Sequence, residues 1–361
     1  MNEIILNTDN LKRAVGKLAH SYNSKVLLPA LLHVHCSVSG NEIKMTTSDI
    51  ELTGEITIEA DSNSESSSEF LIPFAELVQI SKVLTSQEIT ICVGEKSVKI
   101  QSGFDEYELK SNSELGEFTL PKFETLDNCI ELGRQEVSNL KSVSTLLSAD
   151  SFKLFKGLAL LEVVGNKFTV VSTDATALIR LKSECEGNRL DARIMLSEKV
   201  IKSLEDIGMP TSLRYSETMT CLEQLNYKLY ASRSTATFPN YKAIIPNKEP
   251  NITINRAQLI EALTKCSLIS GELKQANLSV EDGEMLVNAG HENSGIAIKT
   301  KVVLEQSGDN VVRSAYTLHL LKVLHEAKCE QVSLALYADS SSIVVTSPTD
   351  ENYLSLVALI V

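Results

Sequence analysis

A ten-residue pattern occurs three times in this chain, at intervals that match the length of a whole domain. The copies run from Gly40 to Asp49, from Gly165 to Asp174 and from Gly283 to Glu292, and in each a glycine-led turn precedes the closing acidic residue. The acidic positions 49, 174 and 292 set a repeat of roughly 120 residues, which is far longer than a solenoid unit. The pattern therefore predicts three tandem copies of one domain, at 1–125, 126–248 and 249–361.

Each predicted domain contains two helical segments, and strands fill the rest. Apolar residues recur at helical spacing in the segments, and Thr8 and Asn255 suit helix caps while Pro73 suits a first helical position. Residues 88–93 and 331–336 are examples of the apolar–polar alternation of half-buried strands. The fold class predicted is α+β, with two helices packed on antiparallel sheets in each domain. The predicted helices are 7–22, 73–84, 134–148, 197–207, 255–270 and 315–328.

The cysteines and the apolar runs indicate a cytoplasmic protein. Seven cysteines stand singly and their number is odd, which favours free, buried thiols in a reducing compartment. The first residues have neither a basic region nor a long apolar run, so we expect no signal peptide. No stretch approaches the roughly 20 apolar residues of a membrane span.

Charge is distributed unevenly between the helices and the rest of the chain. The net charge is −13, which by itself argues against a nucleic-acid partner. Counted by residue, however, the six predicted helices sum to +4 and everything else to −17. A mildly positive helical surface in an acidic protein would attract duplex phosphates at one place only. Ordinary solvated helix faces remain the alternative explanation.

Four segments of the chain resemble one protein family. The chain is similar along essentially its whole length to the DNA polymerase III beta subunits, the bacterial sliding clamps. The most specific segment is 238–246, which begins Phe-Pro-Asn-Tyr-Lys and ends in Pro246. The other three are 28–32 with 47–52, 156–158 with 172–174, and a C-terminal strand that starts at Tyr353.

The resemblance implies a ring-forming DNA-clamp fold and a processivity factor. Such a protein encircles duplex DNA as a head-to-tail homodimer, slides without reading sequence, and holds DNA polymerase and the clamp loader through short linear peptides. It implies no catalysis and no cofactor. The residues that would face the DNA are Lys12, Arg13, Lys25, Lys82, Arg134, Lys141, Lys199, Lys202, Arg256, Lys265 and Lys322.

The resemblance also implies a peptide groove and a dimer interface. The dimer residues would be Tyr107 and Leu109 on an edge strand, with Leu268 and Ile269 at the end of a helix. Where family members have Gly-His-Arg after the second repeat, this chain has Ala175, Thr176 and Ala177, and its C-terminal residues also differ. We therefore expect partner peptides to rely on apolar contacts and their affinity to depend little on salt. The implied groove residues are Phe155, Thr173, Ala175, Thr176, Leu178, Pro239, Ala243, Ile244, Leu354 and Leu356.

Other functions are weakly supported by the sequence. His33 and His35 have the spacing of a metal pair on a strand, but no third ligand follows, so we expect no metal. Glycine-rich phosphate loops and a nucleophile elbow are absent from the sequence. Two alternatives stay open: a scaffold of three repeated domains that does not bind DNA, and a mobile-element clamp with altered partner specificity.

Overall fold

The computed structural model describes residues 2–62, 68–94, 96–110, 115–118, 123–148, 154–185, 191–207, 212–271, 274–291 and 295–360. The chain forms two compact units. Unit 1 comprises Met1–Val137 and Lys199–Ser234, and unit 2 comprises Ser138–Glu198 and Thr235–Val361. The division into three domains stays a prediction.

Each of the six predicted helices has a counterpart in the structure. One short additional helix, Tyr241–Ile244, lies in a segment that carries no helical periodicity. The α-helices among the described residues are α1 (Thr8–Leu18), α2 (Phe74–Val83), α3 (Arg134–Val143), α4 (Glu198–Ile207), α5 (Tyr241–Ile244), α6 (Arg256–Ile269) and α7 (Thr317–Glu326).

The helix starts were predicted with mixed success. Asn255 caps α6, because its side chain accepts a hydrogen bond from the Gln258 amide at 3.1 Å. At α1 the cap is Asn7, not Thr8, because the Asn7 side chain accepts from the amides of Asp9 and Asn10. Pro73 precedes α2 instead of beginning it.

Strands make up most of the rest of the chain. The first thirteen are β1 (Asn2–Asn7), β2 (His33–Ser39), β3 (Glu42–Ser48), β4 (Leu52–Glu59), β5 (Asp61–Ser62), β6 (Ser68–Pro73), β7 (Glu88–Val93), β8 (Ser97–Ser102), β9 (Asp105–Lys110), β10 (Asn128–Glu131), β11 (Leu158–Val164), β12 (Lys167–Thr173) and β13 (Ala177–Glu184). The others are β14 (Ala192–Ser197), β15 (Ser212–Tyr215), β16 (Met219–Gln224), β17 (Tyr227–Ser232), β18 (Ile252–Asn255), β19 (Gln275–Glu281), β20 (Glu284–His291), β21 (Ile296–Gln306), β22 (Val311–Tyr316), β23 (Gln331–Ala335), β24 (Ser342–Thr346) and β25 (Tyr353–Ile360).

Unit 1 contains two antiparallel sheets. One has five strands in the order β5-β1-β7-β8-β9, and the other has eight in the order β10-β15-β16-β17-β4-β3-β2-β6. Helices α1 and α2 pack on each other and bury Leu11, Leu18, Leu77 and Ile80. Burial of such side chains is the main stabilising term, at about 25 cal/mol per Å² of apolar surface.

Unit 2 contains one long sheet of twelve strands. Its order is β14-β11-β12-β13-β25-β22-β19-β20-β21-β18-β23-β24, and β25 pairs with β24 as well. Helices α6 and α7 pack on each other and bury Leu259, Leu263, Leu320 and Leu324. The α+β fold class is therefore confirmed.

The repeated sequence pattern corresponds to a repeated hairpin. Gly40, Gly165 and Gly283 occupy the turns β2–β3, β11–β12 and β19–β20, with φ of +59°, +61° and +80°. Residues with a Cβ rarely adopt this left-handed conformation, which explains why each copy begins with glycine. The first two copies end in Asp49 and Asp174, and Glu292 of the third lies outside the described residues.

Candidate functional site

Unit 2 has an apolar groove where β13 meets β25. The groove has a volume of about 240 Å³. Eight of the ten residues that the family resemblance implies line this groove, together with Ala177 and Ala358. The lining contains no charged side chain. The eight are Phe155, Thr173, Ala175, Thr176, Leu178, Pro239, Ile244 and Leu356.

The floor of the groove belongs to a hydrophobic cluster of the sheet. Leu178 of β13 lies directly opposite Leu356 of β25. Leu178 is fully buried, Leu356 is 7% exposed, and both pack with Phe238 and Tyr241. Ile244, by contrast, is 52% exposed at the groove. The floor is thus part of the fold, while Ile244 is available to a ligand.

A turn closed by Asp174 forms one wall. Asp174 Oδ1 accepts hydrogen bonds from the amides of Thr176 at 3.0 Å and Ala177 at 2.8 Å. Ala175 adopts φ of +75° within this turn. Asp174 Oδ2 lies 3.1 Å from His319 Nε2 on α7. Burial disfavours the Asp174 carboxylate, but hydrogen bonds from His319 and the two amides outweigh burial and hold its pKa below the ordinary value.

Two of the implied groove residues do not line the groove. Leu354 lies two residues before Leu356 on β25, opposite Arg180, and packs against the hydrophobic cluster. Ala243 is exposed on α5. The lining residue Ala358 was missed because only the pairing of β25 reveals it: its amide donates to the Thr176 carbonyl at 2.8 Å.

Several of the predicted DNA-facing cations are already bonded within the chain. Lys12 Nζ donates to the Leu84 carbonyl at 2.8 Å, and Arg256 donates to the carbonyls of Cys329 at 2.7 Å and Leu324 at 3.1 Å. Lys265 pairs with Glu261 at 2.6 Å. Arg13 donates to the Asn10 side chain at 2.7 Å.

Lys199 forms the most extensive of these interactions. Its Nζ lies 3.0 Å from Asp49 Oδ2 and also contacts Glu51. Burial disfavours the Lys199 charge, but hydrogen bonds to Glu51 and Asp49 outweigh burial and raise its pKa. Asp49 thereby repeats the arrangement at Asp174, since its Oδ1 accepts from the amides of Glu51 and Leu52 and its Oδ2 meets a basic side chain of a helix.

The other predicted cations are Lys202 and a group of five. Lys202 is exposed and has an interaction within the chain. Lys141 is half-buried. The side chains of the other five make no hydrogen bond or ion pair with a described residue, and all but Lys141 are exposed: Lys25, Lys82, Arg134, Lys141 and Lys322.

The predicted dimer residues lie on two separate surfaces. Tyr107 and Leu109 are half-buried on β9, the last strand of the five-stranded sheet in unit 1. Leu268 is 79% exposed and Ile269 is half-buried, both in the last turn of α6 in unit 2.

The histidine pair has other contacts. His33 Nδ1 lies 3.1 Å from the Pro29 carbonyl, and His35 Nε2 lies 3.7 Å from Glu69. In the part of the chain that the structure describes, no three potential metal ligands cluster. In the same ranges no helix has the length and apolarity to cross a membrane. All seven cysteines are free thiols; five are buried, whereas Cys129 and Cys329 are half-buried, contrary to the prediction of buried thiols.

Comparisons with known proteins agree on one family. A family model described as "DNA polymerase III beta subunit, N-terminal domain" matches residues 2–122, and its C-terminal counterpart matches residues 242–360. The beta sliding clamp of Haemophilus influenzae is 21% identical over 96% of both chains.

Solved structures of clamps share the fold over the entire chain. A Thermotoga maritima beta subunit superposes with a TM-score of 0.91 at 18% identity and covers 100% of both chains. A Pseudomonas aeruginosa sliding clamp bound to griselimycin gives a TM-score of 0.92 at 18% identity, over 100% of this chain and 99% of the other. The two family models together span about two thirds of the residues, so the chain belongs to the DNA polymerase III beta subunit family of sliding clamps, of which it is a divergent member.

Proposed function

We propose that this sliding clamp closes as a head-to-tail homodimer around duplex DNA, slides on it without reading sequence, and tethers a DNA polymerase and a clamp loader through short peptides. The observation that carries the proposal is the agreement in fold with clamps along the entire chain. The family is one of non-catalytic processivity factors, and we propose that this chain is likewise not an enzyme, needs no cofactor and works in the cytoplasm. The scaffold and mobile-element alternatives are not favoured.

Two strand edges support the dimer. The edge strand β9 is acidic, with Asp105, Glu106 and Glu108 against Lys110. Residues 296–303 of β21 pair only with β20 among the described residues and carry Lys299 and Lys301. Unpaired edges of opposite charge can extend one sheet between two subunits, and Leu268 would become buried beside them.

The charge distribution supports encirclement instead of tight binding. A clamp must hold DNA without stopping on it, so few direct phosphate contacts are needed. Because several predicted cations are bonded within the chain, we infer that Lys25, Lys82, Arg134 and Lys322 provide most of the contact with DNA.

The groove supports partner binding. Its apolar floor and exposed Ile244 would bury one or two apolar anchors of an extended peptide. The Pseudomonas clamp described as bound to griselimycin indicates that a clamp of this fold can be occupied by a ligand.

The ring can be tested by topology. The clamp, loaded by the clamp loader of the same cell, should remain on a nicked circular plasmid during gel filtration in high salt. It should be lost when the same plasmid is linearised, because a ring slides off a free end. Equal retention on circular and linear DNA would exclude encirclement, and no retention on either would favour the scaffold.

A further inference from the structure

Arg180 is an uncompensated cation beside the groove. It lies on β13, two residues from Leu178, and is half-buried. Its Nε is buried without a hydrogen-bond partner, and its guanidinium makes no ion pair with the described residues. Burial lowers the pKa of this guanidinium. Arginine nevertheless stays protonated in proteins, so a buried positive charge without an acceptor is unfavourable and should attract an anion.

The acidic side chain of Glu162 lies on β11, which β12 separates from β13, and it already has partners. Glu162 accepts a hydrogen bond from Tyr241 Oη at 2.6 Å. It also lies 3.5 Å from Lys242 Nζ and 3.7 Å from Arg193 Nε. Glu162 therefore already faces one hydrogen-bond donor and two cationic side chains, and it makes no ion pair with Arg180.

Further lysines strengthen the positive charge. Lys182 is exposed two residues beyond Arg180 on β13. Its pKa is lowered by partial burial and then by the positive charges of Arg180, Lys167 and Lys242, with Glu351 acting in the opposite sense. We call Arg180, Lys182 and Lys242 the cationic end. The chain has a net charge of −13, so the charge of this cluster is opposite in sign to that of the chain as a whole.

The cationic end continues the groove along the sheet. Leu178 is opposite Leu356, and Arg180 is opposite Leu354, in the same β13–β25 pair. Alternate residues of a strand share a face and lie about 7 Å apart. Consider an extended peptide that runs along β13 with an apolar side chain over Leu178. The peptide's side chain two residues further along would then lie over Arg180.

We propose that the groove selects extended peptides in which an acidic side chain lies two residues from the apolar anchor and pairs with Arg180. This inference rests on the partner-binding role proposed above. The apolar anchor fills the groove, and the carboxylate supplies the acceptor that Arg180 lacks. Lys182 and Lys242 add longer-range attraction. The apolar part of the affinity should depend little on salt, as the uncharged lining implies, while the acidic part should be screened by salt.

Three fluorescein-labelled peptides test the proposal by fluorescence anisotropy on the full chain. All three share two leucines separated by one serine. The first has aspartate two residues before the first leucine, the second has aspartate two residues after the last leucine, and the third has asparagine at both places. In 50 mM NaCl we expect one aspartate peptide to bind roughly tenfold tighter than the asparagine peptide, and most of that advantage to disappear in 500 mM NaCl.

Variants assign the effect to Arg180. Arg180→Gln should abolish the advantage of aspartate and leave the asparagine peptide unchanged, whereas Arg180→Lys should keep part of it. Arg214→Gln, which removes an exposed arginine from β15, should change nothing. The proposal is overturned if both aspartate peptides bind like the asparagine peptide, or if Arg180→Gln keeps the advantage; in either case the groove itself would stand. If none of the three peptides binds, the partner-binding role of the groove fails as well.

Discussion

At the scale of single residues, Arg256 shows why a basic side chain cannot be assigned to DNA from its place on a helix alone. It begins α6, where the family resemblance puts a DNA-facing cation. Its guanidinium nevertheless donates to the carbonyls of Leu324 and Cys329, at the end of α7 and just after it. The last carbonyls of a helix lack partners within it, and these bonds link α6 to the C-terminal end of α7.

Replacing Arg256 should therefore affect stability more than DNA binding. Arg256→Gln removes charge-assisted bonds to two carbonyls and should lower the free energy of unfolding by about 1–3 kcal/mol. Lys265→Gln is the matched control on the same helix, and it should cost at most about 0.5 kcal/mol because it loses only an exposed pair with Glu261. Urea denaturation followed by circular dichroism would compare them, and equal losses would contradict the structural role of Arg256.

Asp174 gives a prediction that depends on pH. Asp174→Ala removes the hydrogen bonds to Thr176 and Ala177 and the contact with His319, and should cost about 1–3 kcal/mol at pH 7. The folded pKa of Asp174 lies below the ordinary value. Its stabilisation is therefore complete above about pH 4 and is lost as the pH falls through the folded pKa.

The difference between the wild type and Asp174→Ala should consequently shrink as the pH falls from about 4 through the lowered pKa of Asp174. Urea titrations at several pH values would measure this difference. Asp309→Ala, at an exposed aspartate, is the control and should show little difference at any pH. A difference for Asp174→Ala that persists undiminished at low pH would show that its carboxylate is not the source of the stabilisation.

At the scale of elements, the helices could be predicted because their apolar period is visible in the sequence. The cap at Asn7 was missed because Asn7 and Thr8 are both good capping residues, and only the backbone decides between them. The groove residues came from the family's motifs. Arg180 was missed because the pairing with β25, which places it beside the groove, joins residues that are about half the chain apart.

The groove also shows which substitution tests it cleanly. Leu178→Asp would place a charge in the fully buried floor and should destabilise unit 2 by several kcal/mol, so loss of binding would be ambiguous. Ile244→Asp changes a side chain that is 52% exposed. It should leave the unfolding transition nearly unchanged and weaken a leucine-containing peptide at least tenfold.

Calorimetry with a clamp-binding peptide from the polymerase of the same cell would measure the effect of Ile244→Asp. Val164→Asp is its control, because Val164 is 61% exposed in the same unit and does not line the groove. Undiminished affinity for the Ile244 variant would place the peptide elsewhere.

At the scale of the whole molecule, the proposed ring depends on Leu268 and Ile269. Leu268 is 79% exposed, and the second subunit of the proposed ring would cover it. The double variant Leu268→Ala, Ile269→Asp should be monomeric in sedimentation velocity at micromolar concentration, where the wild type should be a dimer. Leu318→Ala, an exposed leucine of α7, should stay dimeric. A monomeric wild type would exclude the ring.

The assembled ring should hold DNA through a few helical cations. Lys82, Arg134 and Lys322 are exposed on three different helices and make no ion pair with the described residues. Changing all three to Gln should weaken low-salt association with duplex DNA several-fold and lower the salt slope by up to about one for each phosphate that is no longer neutralised. The weakening should be the same for any DNA sequence, since phosphates carry no sequence information.

The matched control for this triple variant changes three lysines outside the helices, Lys44, Lys228 and Lys248, to Gln. Each of the three is paired with an acidic side chain within the chain. The change in net charge is the same in both triple variants, so a general electrostatic effect would weaken both equally. If the position of the cations on the helices matters, only the helical triple variant binds duplex DNA more weakly and shows a smaller salt slope. Equal losses would mean that only the overall charge matters and that the positive helices are ordinary solvated faces.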